Sequence, residues 1–131
     1  MKKRILIIED EKEISLIMKM RLEAAGYEVL QAFDGADGLQ KAKTASPDLI
    51  LLDLILPKMS GAQILDELKE DRLHRKMPVI IVTGLAQELG TIKSSAAKAE
   101  AYFLKPFDTV ELMATIADFL KDPPPPSAPE A

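Results

Sequence analysis

The chain has 131 residues, of which 47% are hydrophobic, and a formal net charge of −4 at pH 7. This length and apolar content suit one compact domain that needs no disulfide to hold its core. The absence of Cys and the single His, His74, exclude thiolate sites and the histidine-rich zinc sites of metallohydrolases, so any metal must be bound by oxygen. The basic residues form no stripe for direct nucleic-acid binding, which favours protein partners.

The N-terminus reads MKKRILIIEDE, a short apolar run between basic and acidic residues. The run is too short for the core of a signal peptide or for a membrane span. We therefore expect a cytoplasmic protein without a membrane partner.

Five short apolar segments of strand length divide the chain, and longer segments with helical spacing lie between them. The predicted strands are Ile5–Ile8, Val29–Ala32, Leu49–Leu52, Val79–Val82 and Tyr102–Leu104. Their nearly continuous apolar character indicates that helices cover both faces of the sheet. Because strands and helices alternate, we predict a doubly wound α/β domain with a five-stranded parallel sheet and five helices.

The ends of the predicted helices carry residues that are typical of helix boundaries. These signals are Gly26 after the first helix, Asp34-Gly35 before the second, Ser46-Pro47 after it and Asp108 before the fifth. The last ten residues, DPPPPSAPEA, cannot continue a helix because Pro lacks the backbone N–H. We predict one domain over residues 1–121 and a Pro-rich tail or linker over residues 122–131.

Polar residues follow four of the predicted strands, at the edge where open parallel sheets bind ligands. They are Glu9-Asp10-Glu11, Asp53, Thr83-Gly84 and Lys105-Pro106. At this edge Asp10 and Asp53 would repel each other, and a divalent cation would relieve the repulsion. Mg²⁺ fits best, because it prefers oxygen ligands, which the loop after Asp53 can complete with a carbonyl, and leaves positions for phosphate.

The polar residues at this edge also predict a binding site for a dianion. Lys105 supplies a cation, Thr83 a hydroxyl, and Gly84 allows the backbone to approach a bound group. Together with Mg²⁺, these groups would neutralise the charge on a phosphoryl group during transfer. Asp53 is the natural nucleophile, because a carboxylate can form a covalent acyl phosphate.

These motifs, taken in order, resemble the receiver domains of two-component response regulators over residues 4 to about 121. The matching segments are Glu9-Asp10, the run from Pro47 through Asp53 to Pro57 with Gly61 beyond it, Thr83-Gly84, and Tyr102 to Phe107. The resemblance implies a flavodoxin-like (CheY-like) fold with strand order 2-1-3-4-5. It also implies a signalling phosphoacceptor rather than an enzyme, which takes a phosphoryl group onto Asp53 from the phosphohistidine of a sensor histidine kinase or phosphotransfer protein.

The resemblance implies roles for individual residues as well. Asp10, Asp53, the Ile55 backbone carbonyl and, through water, Glu9 would arrange Mg²⁺. Thr83 and Tyr102 would form the switch pair that alters the face built from the fourth predicted helix, the fifth strand and the fifth helix.

Partners follow from the same resemblance. The switching face would control an output domain or a downstream protein, and a phosphorylation-dependent homodimer is left open. A partner histidine domain would dock on the first helix and on the loop after the fifth strand. A cis bond between Lys105 and Pro106 would hold the lysine inward.

Two departures from the family pattern have consequences. Ile55 and Leu85, two residues beyond Asp53 and Thr83, are apolar and cannot position an attacking water, which predicts slow self-dephosphorylation. Lys98-Ala99 stands where such domains commonly have Gly-Ala, so the fourth helix is expected to end differently.

Three other functions agree less well with the sequence. A flavodoxin-type electron carrier fits poorly, because acids after the first strand would repel a flavin phosphate. A phosphatase with an aspartate nucleophile needs a further acid where Ile55 stands. A receiver-like binding module that works without phosphorylation remains the alternative, although the complete set of acids with Thr83 and Lys105 argues against it.

Overall fold

The structure is a computed structural model that describes residues 2–84 and 99–121. Its sheet contains five parallel strands in the order β2-β1-β3-β4-β5, which confirms the predicted doubly wound topology. The strands are β1 (Arg4–Ile8), β2 (Glu28–Ala32), β3 (Leu49–Leu52), β4 (Val79–Thr83) and β5 (Ala101–Leu104). No predicted strand boundary is wrong by more than one residue.

Four helices lie within the described residues. They are α1 (Lys12–Ala24), α2 (Gly35–Thr44), α3 (Gly61–Glu70) and α4 (Thr109–Leu120), the last of which is the fifth predicted helix. None of these four has the length and apolar content needed to cross a bilayer. The fourth predicted helix, with Leu85 and Lys98, and the predicted tail fall outside the described residues.

Local signals determine where the helices begin and end, as the sequence indicates. The Asp34 side chain accepts a hydrogen bond from the Asp37 amide at 2.8 Å and so caps α2. Asp108 accepts from the Val110 amide at 2.8 Å and caps α4. Gly26 follows α1 with a φ of 98°, a conformation that glycine adopts without strain.

Apolar side chains cover both faces of the sheet, because successive residues of a strand point to opposite sides. On β1, Ile5 and Ile7 pack with residues of α1 and α4, whereas Leu6 and Ile8 pack with residues of α2 and α3. All four side chains are fully buried. The two cores hold the strands so that their carboxyl ends form one edge of the sheet.

Candidate functional site

Charged side chains from three separate strands meet at the carboxyl edge of the sheet. Glu9 follows β1 and is 1% exposed, and Asp53 follows β3 and is 7% exposed. Lys105 follows β5, where its amide donates to the Thr83 carbonyl at 2.8 Å. Its ammonium group lies 2.6 Å from Glu9 Oε1 and 3.1 Å from Asp53 Oδ2. The Lys105–Pro106 bond is cis, as the resemblance implied.

Three carboxylates converge at this edge of the sheet. Glu9, Asp10 and Asp53 each present an oxygen, and these oxygens lie within 4.8 Å of one another. Asp10 is exposed to solvent, whereas the other two are buried, so the cluster opens outward at Asp10. An all-carboxylate donor set of this kind fits a hard divalent cation such as Mg²⁺.

The electrostatics of the cluster are unbalanced. Burial raises the pKa of Glu9 to about 7, and the charge of Asp53 adds to this effect against the opposing hydrogen bond from Lys105. Burial alone would lower the pKa of Lys105, but its hydrogen bond to Glu9 and the charge of Asp53 raise that pKa overall. Within the described ranges, one ammonium group contacts this cluster of carboxylates and compensates their charge incompletely, so the site favours additional positive charge.

The end of β4 contributes an unsatisfied hydroxyl. Thr83 is fully buried, and its Oγ1 has no hydrogen-bond partner among the described residues. A buried hydroxyl without a partner is costly, which makes it a candidate contact for a bound group. A Cβ added to Gly84 would meet a single described atom within 4 Å, Lys105 Cδ at 4.0 Å, so the backbone there is open to a ligand.

Two further predicted residues, Ile55 and Tyr102, lie at different distances from this cluster. The Ile55 amide donates to Asp53 Oδ1 at 3.2 Å, and the Ile55 side chain is 47% exposed. Tyr102 lies on the outermost strand, in register with Ile81, and its side chain is 53% exposed. The structure thus brings Glu9, Asp10, Asp53 and Lys105 into one group, with Ile55 beside it and Tyr102 on the outer surface.

Sequence reasoning missed two features of the site. It assigned Lys105 to a phosphoryl group and did not predict its direct contact with Glu9, although both follow strands that end at the same edge. It interpreted Asp34-Gly35 as a helix start alone, whereas the Gly35 amide also donates to the Pro57 carbonyl, 3.0 Å away in the loop after Asp53. The only sequence feature that could have indicated this contact is the Asp34-Gly35 pair, because glycine allows another backbone to approach closely.

The fold and the acidic site define the class of protein, and comparison with known proteins agrees. The model of the response regulator receiver domain family matches residues 5–117, and the chain belongs to that family of two-component signalling proteins. The DNA-binding dual master transcriptional regulator RpaA of Synechocystis is 41% identical over 118 residues, which cover 90% of this chain and 49% of that protein. The chain thus spans about half the length of the curated relatives it matches.

Solved structures give the same classification. A CheY-like receiver domain from Methanospirillum hungatei superposes with a TM-score of 0.84 and 36% identity, covering 92% of this chain and 95% of that one. The response regulator TrrA of Thermotoga maritima, in complex with Mg²⁺ and BeF, has a TM-score of 0.81 and 28% identity and covers 89% of this chain and 98% of that one.

Proposed function

We propose that Asp53 is the phosphoacceptor of this receiver domain. The observation that carries the proposal is the contact of Lys105 Nζ with Asp53 Oδ2 at 3.1 Å, inside a group of three converging carboxylates. A buried carboxylate beside a lysine, at the same edge as a threonine hydroxyl that has no partner within residues 2–84 and 99–121, has the chemistry needed to accept a phosphoryl group.

The phosphoryl donor is a phosphohistidine on a partner protein. An Asp53 carboxylate oxygen attacks phosphorus, a P–O bond forms, and the P–N bond breaks with its electron pair returning to the imidazole nitrogen. The products are an aspartyl phosphate and a histidine. Lys105 and Thr83 bind the oxygens of the transferred group, whose charge they offset. The domain is a signalling phosphoacceptor and not an enzyme with a separate substrate.

Mg²⁺ is the cofactor that the donor set suits. Asp10, Asp53 and the Ile55 carbonyl would hold it, with Glu9 acting through water, and when bound it offsets the negative charge of the phosphoryl group. The raised pKa of Glu9 and the like charges around it support this assignment, because the chain's own lysine leaves the cluster short of positive charge.

The phosphorylation signal is carried by Thr83 and Tyr102. The Thr83 hydroxyl gains a hydrogen-bond partner when Asp53 is phosphorylated, and the half-exposed Tyr102 ring changes its burial in response. A switch of this kind needs a coupling free energy of about 1–3 kcal/mol between the two sites. The face that includes β5 and α4 then presents a different surface to an output domain, a downstream protein or a second copy of the chain.

The kinase or phosphotransfer protein docks beside the site, on α1. Three large apolar side chains of this helix are exposed, with Leu16 at 52%, Ile17 at 56% and Met20 at 61%. Ile17 shares the apolar spacing of the helix but faces solvent, which supports a partner-binding role. An output domain beyond the receiver is consistent with the greater length of the relatives, and the cytoplasm is the compartment where these partners would meet.

Incubation with acetyl phosphate and Mg²⁺ tests the proposal. We expect mass spectrometry to show a gain of one phosphoryl group in the parent protein and none in Asp53→Asn. Asp48→Asn serves as the matched control. Asp48 lies away from the site and accepts a hydrogen bond from the Arg4 amide, so this variant should be labelled like the parent. No mass gain in the parent would favour a binding module that works without phosphorylation.

A further inference from the structure

The loop after Asp53 (residues 54–60) connects β3 to α3, and a backbone amide is hydrogen-bonded near each of its ends. The Ile55 amide donates to Asp53 Oδ1 at 3.2 Å, and the Gly61 amide donates to the Leu54 carbonyl at 3.0 Å. A Cβ at Gly61 would lie 2.2 Å from the Asp53 carbonyl oxygen, so only glycine permits this approach. These ties position the two ends of the loop.

The middle of the loop is held by a different element, the N-terminal turn of α2. The amide of Gly35, the first residue of that helix, donates to the Pro57 carbonyl at 3.0 Å. A Cβ at Gly35 would lie 1.9 Å from the Met59 carbonyl oxygen, far inside any contact that a real Cβ makes. The backbone of the loop therefore rests directly on the backbone of α2.

A side-chain contact reinforces this backbone contact. Lys58 Nζ lies 3.6 Å from Asp34 Oδ2, and Lys58 itself has a φ of 71°, which is uncommon for a residue other than glycine. Asp34 is also the N-cap of α2. One aspartate thus begins the helix and contacts the loop that the helix supports.

We propose that Asp34 and Gly35 are positioning residues that fix the loop after Asp53 and, through it, the Ile55 carbonyl at the Mg²⁺ site. The inference rests on the proposed function, because it assigns that carbonyl to the ion. The contact runs from α2 to the loop and then to the site, so neither residue has to touch the ion. Substitution of residues that orient metal ligands in this indirect way typically weakens metal affinity by about 10- to 100-fold.

Gly35→Ala in the full chain tests the proposal, with Mg²⁺ affinity measured by calorimetry. Alanine is a better helix former than glycine, so helix propensity alone would favour the variant. The added methyl group must instead displace the Met59 carbonyl or the start of α2. We expect Mg²⁺ to bind about tenfold more weakly than to the parent, at the lower end of the range for residues that orient metal ligands.

Gly38→Ala is the matched control, because it makes the same substitution one turn later in the same helix. Its Cβ would lie 2.7 Å from Ile8 Cγ2, a side-chain atom of the core and not part of the loop. We expect this variant to lose stability but to keep Mg²⁺ affinity within about twofold of the parent. Equal affinities for the Gly35 and Gly38 variants would overturn the inference, whereas a parent that binds no Mg²⁺ would overturn the proposed function first.

A double-mutant cycle decides the question if Gly35→Ala does not fold. Asp34→Asn keeps a capping side chain, Lys58→Gln removes the partner charge, and the cycle cancels the direct effect of each charge on the ion. We expect loss of Lys58 to change Mg²⁺ affinity at least about twofold more when Asp34 is present than in Asp34→Asn. Strictly additive effects would contradict the proposal.

Discussion

Two lysine–carboxylate groups lie at opposite edges of the sheet and differ in how fully their charges and hydrogen-bonding groups are paired within the protein. At the carboxyl edge, Lys105 contacts Glu9 and Asp53 and leaves the acidic group short of positive charge. At the other edge, Lys69 Nζ reaches Glu100 at 2.9 Å and also donates to two backbone carbonyls, at 3.0 and 3.2 Å. Glu100 in turn accepts from the Val79 amide at 2.8 Å.

The difference separates a structural charge pair from the one that we propose to be functional. The Lys69 group uses its donors and acceptors within the protein, joining the end of α3 to the starts of β4 and β5. The Lys105 group brings together more acid than it can neutralise, and it lies at the same edge as the Thr83 hydroxyl, which has no partner in the described part of the chain. A buried site with uncompensated negative charge would stabilise a bound cation, and the cation would in turn stabilise a transferable anion.

Substitution of Lys105 should have the largest effect, and it tests the proposed functional role of the Lys105 group. We expect Lys105→Met to slow phosphorylation of Asp53 about 100-fold, because one charge-stabilising donor is lost. Mg²⁺ should bind more tightly, since the ammonium group no longer competes for Glu9 and Asp53. Lys41→Met, at an exposed ion pair with Asp37, is the control for removing a lysine charge. A phosphorylation rate equal to that of the parent would contradict the assigned role.

Substitution of Lys69 tests the structural role of the Lys69 group. Lys69→Met leaves Glu100 and the two carbonyls without their donor, so we expect the free energy of unfolding to fall by about 2 kcal/mol in urea titrations. Mg²⁺ affinity should not change. The control, Lys43→Met at an exposed pair with Glu67, should cost less than about 1 kcal/mol. If Lys69→Met altered Mg²⁺ affinity, the two edges would not be independent.

The lifetime of the phosphorylated state sharpens the contrast within the site. Ile55 is 47% exposed and has no polar side-chain atom to align a water on the aspartyl phosphate. We expect Ile55→Asn to speed loss of the phosphoryl label about tenfold, which is less than a fully positioned acid or base provides. Ile55→Val, which stays apolar, should match the parent. Identical decay in all three proteins would show that this position does not control hydrolysis.

Much of the fold was predictable because it depends on short-range patterns. The buried apolar strands, the Asp34 and Asp108 caps and the Gly26 turn are all set by neighbouring residues or by periodicity. The grouping of Asp10, Asp53 and Lys105 was predictable too, because strand ends of a parallel sheet share one edge. These features need no knowledge of side-chain geometry.

What escaped prediction depends on contacts between residues distant in sequence. The Lys69–Glu100 pair joins positions 31 residues apart in segments whose composition suggests an ordinary solvated surface. The close approach of Gly35 to Met59 is set by how α2 packs against a loop, and a single glycine does not identify which backbone it meets. Periodicity carries no information on either contact.

The smallest predicted effect concerns a carboxylate whose pKa moves opposite to that of Glu9. The Asp37 amide, which donates to Asp34, lowers the pKa of Asp34, and Lys58 adds to this effect. The ionised form is therefore favoured by folding, so its stabilisation is present above the unfolded-state pKa and is lost as the pH falls through the lower folded-state value.

Asp34→Asn isolates this contribution, because asparagine can cap α2 without titrating. In urea titrations across the acid range, we expect the parent's stability advantage over the variant to be constant near neutral pH and to shrink below about pH 4. An advantage that persists undiminished at the lowest pH where both proteins fold would show that the Asp34 charge contributes nothing. The direction of the pKa shift distinguishes the two carboxylates. Ionisation of Asp34, which accepts hydrogen bonds from backbone amides, stabilises the folded protein. Ionisation of Glu9, which is buried near another carboxylate, destabilises the folded protein unless a cation compensates its charge.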